Sequence, residues 1–87
     1  MDLLSNHEFI QKALTTALSP SFLEIIDESH KHIGHSGFSA AGSHFAVTIT
    51  APAFTGKTLL ECHRMIYEAL GEKVGKDIHA LKINIKR

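Results

Sequence analysis

The chain is short of thiols, of net charge and of long apolar runs. Among its 87 residues there is one cysteine, Cys62, so an internal disulfide is excluded and no Cys-x-x-Cys pair offers a zinc or redox centre. Stability must come from packing. Lys and Arg number 9, as do Asp and Glu, for a formal net charge of +0. Non-specific nucleic-acid affinity rests mainly on phosphates neutralised by Lys and Arg, so any nucleic-acid contact must be local. The histidines change this balance only below about pH 6.5, where imidazoles gain charge. No apolar run reaches the roughly 20 residues of a membrane helix, and no membrane partner is expected. The opening MDLLSNHEF carries acid rather than Lys or Arg and lacks the apolar core of a signal peptide, which predicts a cytoplasmic chain. FTGKT lacks the spacing of a phosphate loop, and no Ser, His and Asp set has a nucleophile context. Nothing here argues for an enzyme. The length has room for one small domain, 1–87.

What is present is a clear alternation of helical and extended patterns. Ser5 with Glu8 has capping-box spacing, and Leu4 and Phe9 stand where a hydrophobic staple would, so a helix is expected from about Asn6. Ile10, Ala13, Leu14, Ala17 and Leu18 follow at helical spacing, and Pro20 stops the run. SFLEIIDE reads as a strand over 21–28. HFAVTITA alternates, with Phe45, Val47 and Ile49 on one face and His44, Ala46, Thr48 and Thr50 on the other. From about Lys57 to Val74, a stripe of Leu59, Cys62, Ile66, Ala69 and Leu70 predicts a longer helix, its outer face carrying Glu61, Arg64, Glu68 and Glu72. IHALKINIKR alternates again and reads as a third strand. The order α-β-β-α-β gives an α+β fold with two helices on one face of a three-stranded sheet. The first two strands are expected to be antiparallel, and the long helix allows a parallel crossover between the second and third.

Four of the seven histidines fall in DESHKHIGHSGFSAAGSHF, residues 27–45. His30, His32 and His35 are close enough for two imidazoles to meet one ion, and imidazole alone does not name the metal. A solvated, glycine-rich loop that chelates nothing is the equally open reading. His79 opens the last strand in phase with Leu81, Ile83 and Ile85, which points it to the core side at the strand's mouth. His44, in the outward phase, and His63, at the margin of the helix stripe, read as structural, and His7 has no assigned role. Cys62 falls in the stripe and is expected to be a buried, inert thiol.

DES at 27–29, SHF at 43–45, Phe54 and Gly56 as F-x-G, HRMIYEAL at 63–70 and IHAL at 78–81 resemble, in order and spacing, the BolA family. The resemblance covers nearly the whole chain and implies a fold related to the class II KH domain, with a mixed sheet. It also implies two functions. One is an adaptor that pairs with a monothiol glutaredoxin around a [2Fe-2S] cluster; its ligands would be His79, a loop histidine and, from the partner, a cysteine and glutathione. Counted back from SHF, His35 stands at the family's usual ligand spacing, while His32 keeps a fixed distance from DES, so the resemblance favours His35 and leaves His32 open as the alternate. Four thiolates normally hold such a cluster, so this chain with its one cysteine is expected to hold none alone. The other implied function is a DNA-binding regulator, with Lys57, Arg64, Lys73 and Lys76 as candidate phosphate contacts; for each, a solvated helix face is the plainer reading. Cys62 stands where many relatives have Arg, which weakens the DNA reading. No G-x-x-G loop precedes the long helix, so RNA binding in the KH manner is unsupported. A third reading is a small domain that forms a homodimer or docks proteins through its sheet.

Overall fold

The structure, a computed structural model, describes residues 5–28 and 43–86. The first helix, α1 (Asn6–Leu18), begins where its capping box predicts. The Glu8 N–H donates to Ser5 Oγ at 3.1 Å and the Ser5 N–H to Glu8 Oε1 at 3.3 Å, which satisfies two of the otherwise orphaned donors of a helix start. Ile10, Leu14 and Leu18 are buried, Ala13 is half-buried and Ala17 is exposed. The helix closes on Ser19, a left-handed residue at φ 46° whose N–H reaches the Thr15 carbonyl. The other half of the expected staple, Leu4, lies outside the described residues.

Strands β1 (Phe22–Asp27), β2 (Ser43–Thr50) and β3 (Ile78–Ile85) form one sheet in the order β1-β2-β3. As expected, β1 and β2 are antiparallel and β2 and β3 parallel. The register sets Leu23 beside Ile49 and Ile25 beside Val47. It also sets Leu81, Ile83 and Ile85 beside Phe45, Val47 and Ile49. These apolar rows share the covered face, and Phe45, Val47, Ile49, Phe54, Cys62, Ile66, Leu70 and Ile78 form its core with the inner stripe of α1. The helices leave the opposite face uncovered, and on it Phe22 and Ile26 are each 46% exposed.

The crossover helix α2 (Leu59–Leu70) is shorter than the periodicity predicts. Thr58 caps it in the same way as Ser5 caps α1: the Glu61 N–H donates to Thr58 Oγ1 at 3.1 Å and the Thr58 N–H to Glu61 Oε1 at 2.9 Å. Leu59 is the first helical residue and is exposed, so the buried stripe starts one turn later, at Cys62. At the far end Gly71, at φ 64°, turns the chain into a 3-10 turn over Gly71–Lys73, which ends the helix before Val74.

The Thr58 backbone N–H, then its hydroxyl, and the Lys57 and Arg64 charges hold the Glu61 carboxyl below the usual carboxylate range. In the unfolded chain that carboxyl titrates at its ordinary value. Its contribution is therefore complete above that value and is lost as pH falls through the lower, folded one. Glutamine at this position can still accept the Thr58 N–H bond. Glu61→Gln is expected to flatten the acid limb of a stability–pH profile followed by denaturant unfolding; parallel profiles for the two proteins would show that the cap carries no such linkage.

Candidate functional site

The mouth of the parallel β2–β3 pair is built from the turn that feeds β3. Lys73 Nζ lies 3.0 Å from Asp77 Oδ2 and 5.1 Å from the centre of the Phe9 ring, so one amine ties the turn to α1. Asn6 Nδ2 donates to the Asp77 carbonyl at 3.2 Å, and the Gly75 N–H, at a left-handed glycine of φ 97°, donates to the Ile78 carbonyl at 2.8 Å. Ile78 itself is fully buried. The residue after it is held by this anchoring.

Here the structure corrects the parity expected of His79. The register pairs Ser43 with Ile78 and then His44 with Ala80, so one step along β2 faces two steps along β3. His79 is the extra residue of a β-bulge, a feature that re-aims a side chain where it occurs. Ile78 and Leu81 both belong to the covered face with two residues between them, where strict alternation allows one. His79 leaves the phase of Leu81, Ile83 and Ile85 and is exposed. Its ring lies 5.4 Å from that of His44, centre to centre, with the planes at 39°. His44 is outward-facing, as expected, and half-buried, but its meeting with His79 is not visible in either strand alone.

The same end of the sheet anchors both ends of the connection that carries the loop histidines. On one side the Glu28 N–H donates to the His44 carbonyl at 2.7 Å, and Glu28 Oε1 lies 3.6 Å from Lys82 Nζ on the uncovered face. On the other, Ser43 pairs with Ile78. His30, His32 and His35, including the preferred and alternate loop ligands, lie outside the described residues.

Cys62 is 0% exposed in the core beneath the helices, as its place in the stripe predicts. Among the described residues no group of three or more His, Cys, Asp or Glu side chains gathers to hold a metal ion. The chain thus presents imidazole and no accessible thiolate at the strand mouth, a donor set that fits part of an iron–sulfur ligand shell and not the whole. A cleft of about 500 Å³ opens at the other end of the sheet, against Ser21, Thr50, Phe54 and Lys86. It brings one amine to an apolar floor and no imidazole or acid, so the site is read from the histidines.

The four candidate phosphate contacts do not make one basic patch. Lys57 and Arg64 share a shallow groove with Glu61 and Glu68. Lys73 is held by Asp77, and Lys76 Nζ lies 3.7 Å from Glu72 Oε2. His63 is half-buried on α2. His7, without a role in the sequence reading, donates from Nε2 to the Ile25 carbonyl at 3.2 Å and fastens α1 to the edge strand β1; its position in the first turn carried no signal of that partner. Among the described residues no helix is long and apolar enough to cross a membrane.

Fold and site together define a small α+β domain that turns imidazoles out at one end of its sheet and keeps its thiol in the core. The comparisons agree on its kin. A family model described as BolA-like protein matches residues 14–87. The chain is 40% identical over 77 residues to the DNA-binding transcriptional regulator BolA of Escherichia coli (strain K12), covering 88% of this chain and 70% of that protein. The solved BolA domain of SufE1 from Arabidopsis thaliana aligns with a TM-score of 0.81 at 36% identity, over 98% of this chain and 94% of that one. BolA1 from the same plant aligns at 0.80 and 32%, with the same coverage. The chain belongs to the BolA family.

The burial of Cys62 is directly measurable. A thiol-reactive disulfide reagent is expected to leave the native chain unmodified over minutes and to modify it fully in denaturant. Fast reaction of the native protein would contradict its place in the core.

Proposed function

We infer that this chain is a non-enzymatic adaptor that pairs with a monothiol glutaredoxin to coordinate a shared [2Fe-2S] cluster, in iron–sulfur trafficking or in iron and redox regulation. The observation that carries the reading is the bulge that turns His79 out of the core, at the end of the sheet where the segment bearing His32 and His35 is anchored. A regular strand would have kept this imidazole against apolar side chains, where an unpaired polar group is costly.

His79 would be one ligand and His35 the second, with His32 the alternate. Cys62 is out of reach, so the remaining ligands would come from the partner's cysteine and glutathione. When bound, the cluster supplies one-electron chemistry and a transferable iron–sulfur unit, and two imidazole ligands raise its potential above that of an all-thiolate centre. The work of this chain's residues is to present one imidazole from a rigid strand and another from the connecting segment. The core sets the direction of the first.

The name of the Escherichia coli relative favours a second reading, a DNA-binding regulator. On this chain Lys57, Arg64, Lys73 and Lys76 would be its phosphate contacts, each of them with a carboxylate close by.

Mixing the chain with a monothiol glutaredoxin, iron, sulfide and glutathione is expected to give a heterodimer with a visible spectrum distinct from that of glutaredoxin alone. His79→Ala should remove that difference and His35→Ala should reduce it. A spectrum unchanged by His79→Ala would reject the ligand assignment, and failure of the heterodimer to form would reject the adaptor.

A further inference from the structure

We propose that His44 and His79 form a two-imidazole site on this chain alone, one that takes a divalent transition-metal ion of the zinc type without a partner protein. Their spacing suits a shared ion. Two imidazoles that share one tetrahedral ion through nitrogens about 2.0–2.1 Å from it have ring centres roughly 5 Å apart. The rings of His44 and His79 stand 5.4 Å apart and are tilted rather than stacked, a separation that suits a shared ion.

The backbone around them is already fixed. His44 sits in the central strand, its carbonyl bonded to the Glu28 N–H and its neighbour Phe45 buried. His79 follows fully buried Ile78, on the bulge that places it next to the Ala80 partner of His44. Little conformational freedom in the strands remains to be lost on binding. His79 is exposed, so an ion can be reached by water, which would complete its coordination. Imidazole is a borderline ligand that serves zinc, copper and nickel.

The site is made of this chain's side chains only. It therefore stands or falls separately from the glutaredoxin reading, although His79 would belong to both and the two occupants would compete for it.

The probe is Zn(II), added to the whole chain and followed by calorimetry, with Co(II) as a coloured substitute. One ion per chain is expected, along with shifts of the ring nitrogens of His44 and His79 in 15N spectra. His44→Ala and His79→Ala should each weaken binding by about ten-fold or more. A chain with His30, His32 and His35 all replaced by alanine should bind as the unaltered one does. His44→Asn, which keeps a polar group on the strand, guards against a folding defect; circular dichroism reports the fold, and the same ten-fold loss is expected. Binding that survives His44→Ala and disappears with the loop histidines would overturn the proposal, as would the absence of any binding by the unaltered chain at millimolar Zn(II).

Discussion

Burial of Ile78 is the constraint on which the site depends. Its side chain is fully enclosed, and Leu81, three positions on, packs on the same covered face. A regular strand cannot place residues with that separation on one side. The β2–β3 pairing absorbs the surplus residue as a bulge, and the residue expelled from the alternation is His79. Without the bulge, either the imidazole or a large apolar side chain would be on the wrong face. The apolar core therefore sets the orientation of a polar side chain that contributes nothing to it.

The turn before β3 supports the same outcome from outside the core. Asp77 receives the Lys73 amine on its carboxylate and the Asn6 amide on its carbonyl, and Lys73 also lies over Phe9. Exposed ion pairs contribute only about 0–1 kcal/mol each, so these contacts matter less as a store of stability than as a restraint on where β3 begins. They also give Lys73 a structural role, and with Lys76 beside Glu72 they divide the positive charge of the chain. Among the described residues these cations are interleaved with carboxylates, an arrangement that makes no broad field with which to draw in a polyanion. The two faces of the sheet differ in the same practical way: the thiol lies beneath the helices, while His44 and His79 stand on the face that the helices leave uncovered.

Much of this was legible in the residues. Ser5 and Glu8 marked the start of α1, alternation marked β2 and the later part of β3, and the length of the crossover allowed a parallel pair. Thr58 and Glu61 carry the same capping signature as Ser5 and Glu8, and reading it would have started α2 at Leu59 and removed Leu59 from the stripe. The orientation of His79 was harder, because a bulge depends on the register of another strand. The trace it leaves in the sequence is local: Ile78 and Leu81 are apolar three apart at the head of an otherwise alternating run. The His44–His79 contact left no such trace, since it arises from cross-strand register alone. The His7 bond to the Ile25 carbonyl is also tertiary in origin.

The bulge turns the His79 ring away from the core and toward His44. Through-space proton contacts in the NMR spectrum of the chain test it most directly. Cross-peaks between the ring protons of His44 and His79, with none from His79 to the side chains of Leu81 and Phe45, are the predicted result. A His79 ring in contact with those core side chains and silent toward His44 would mean an unbroken strand, and would contradict the account.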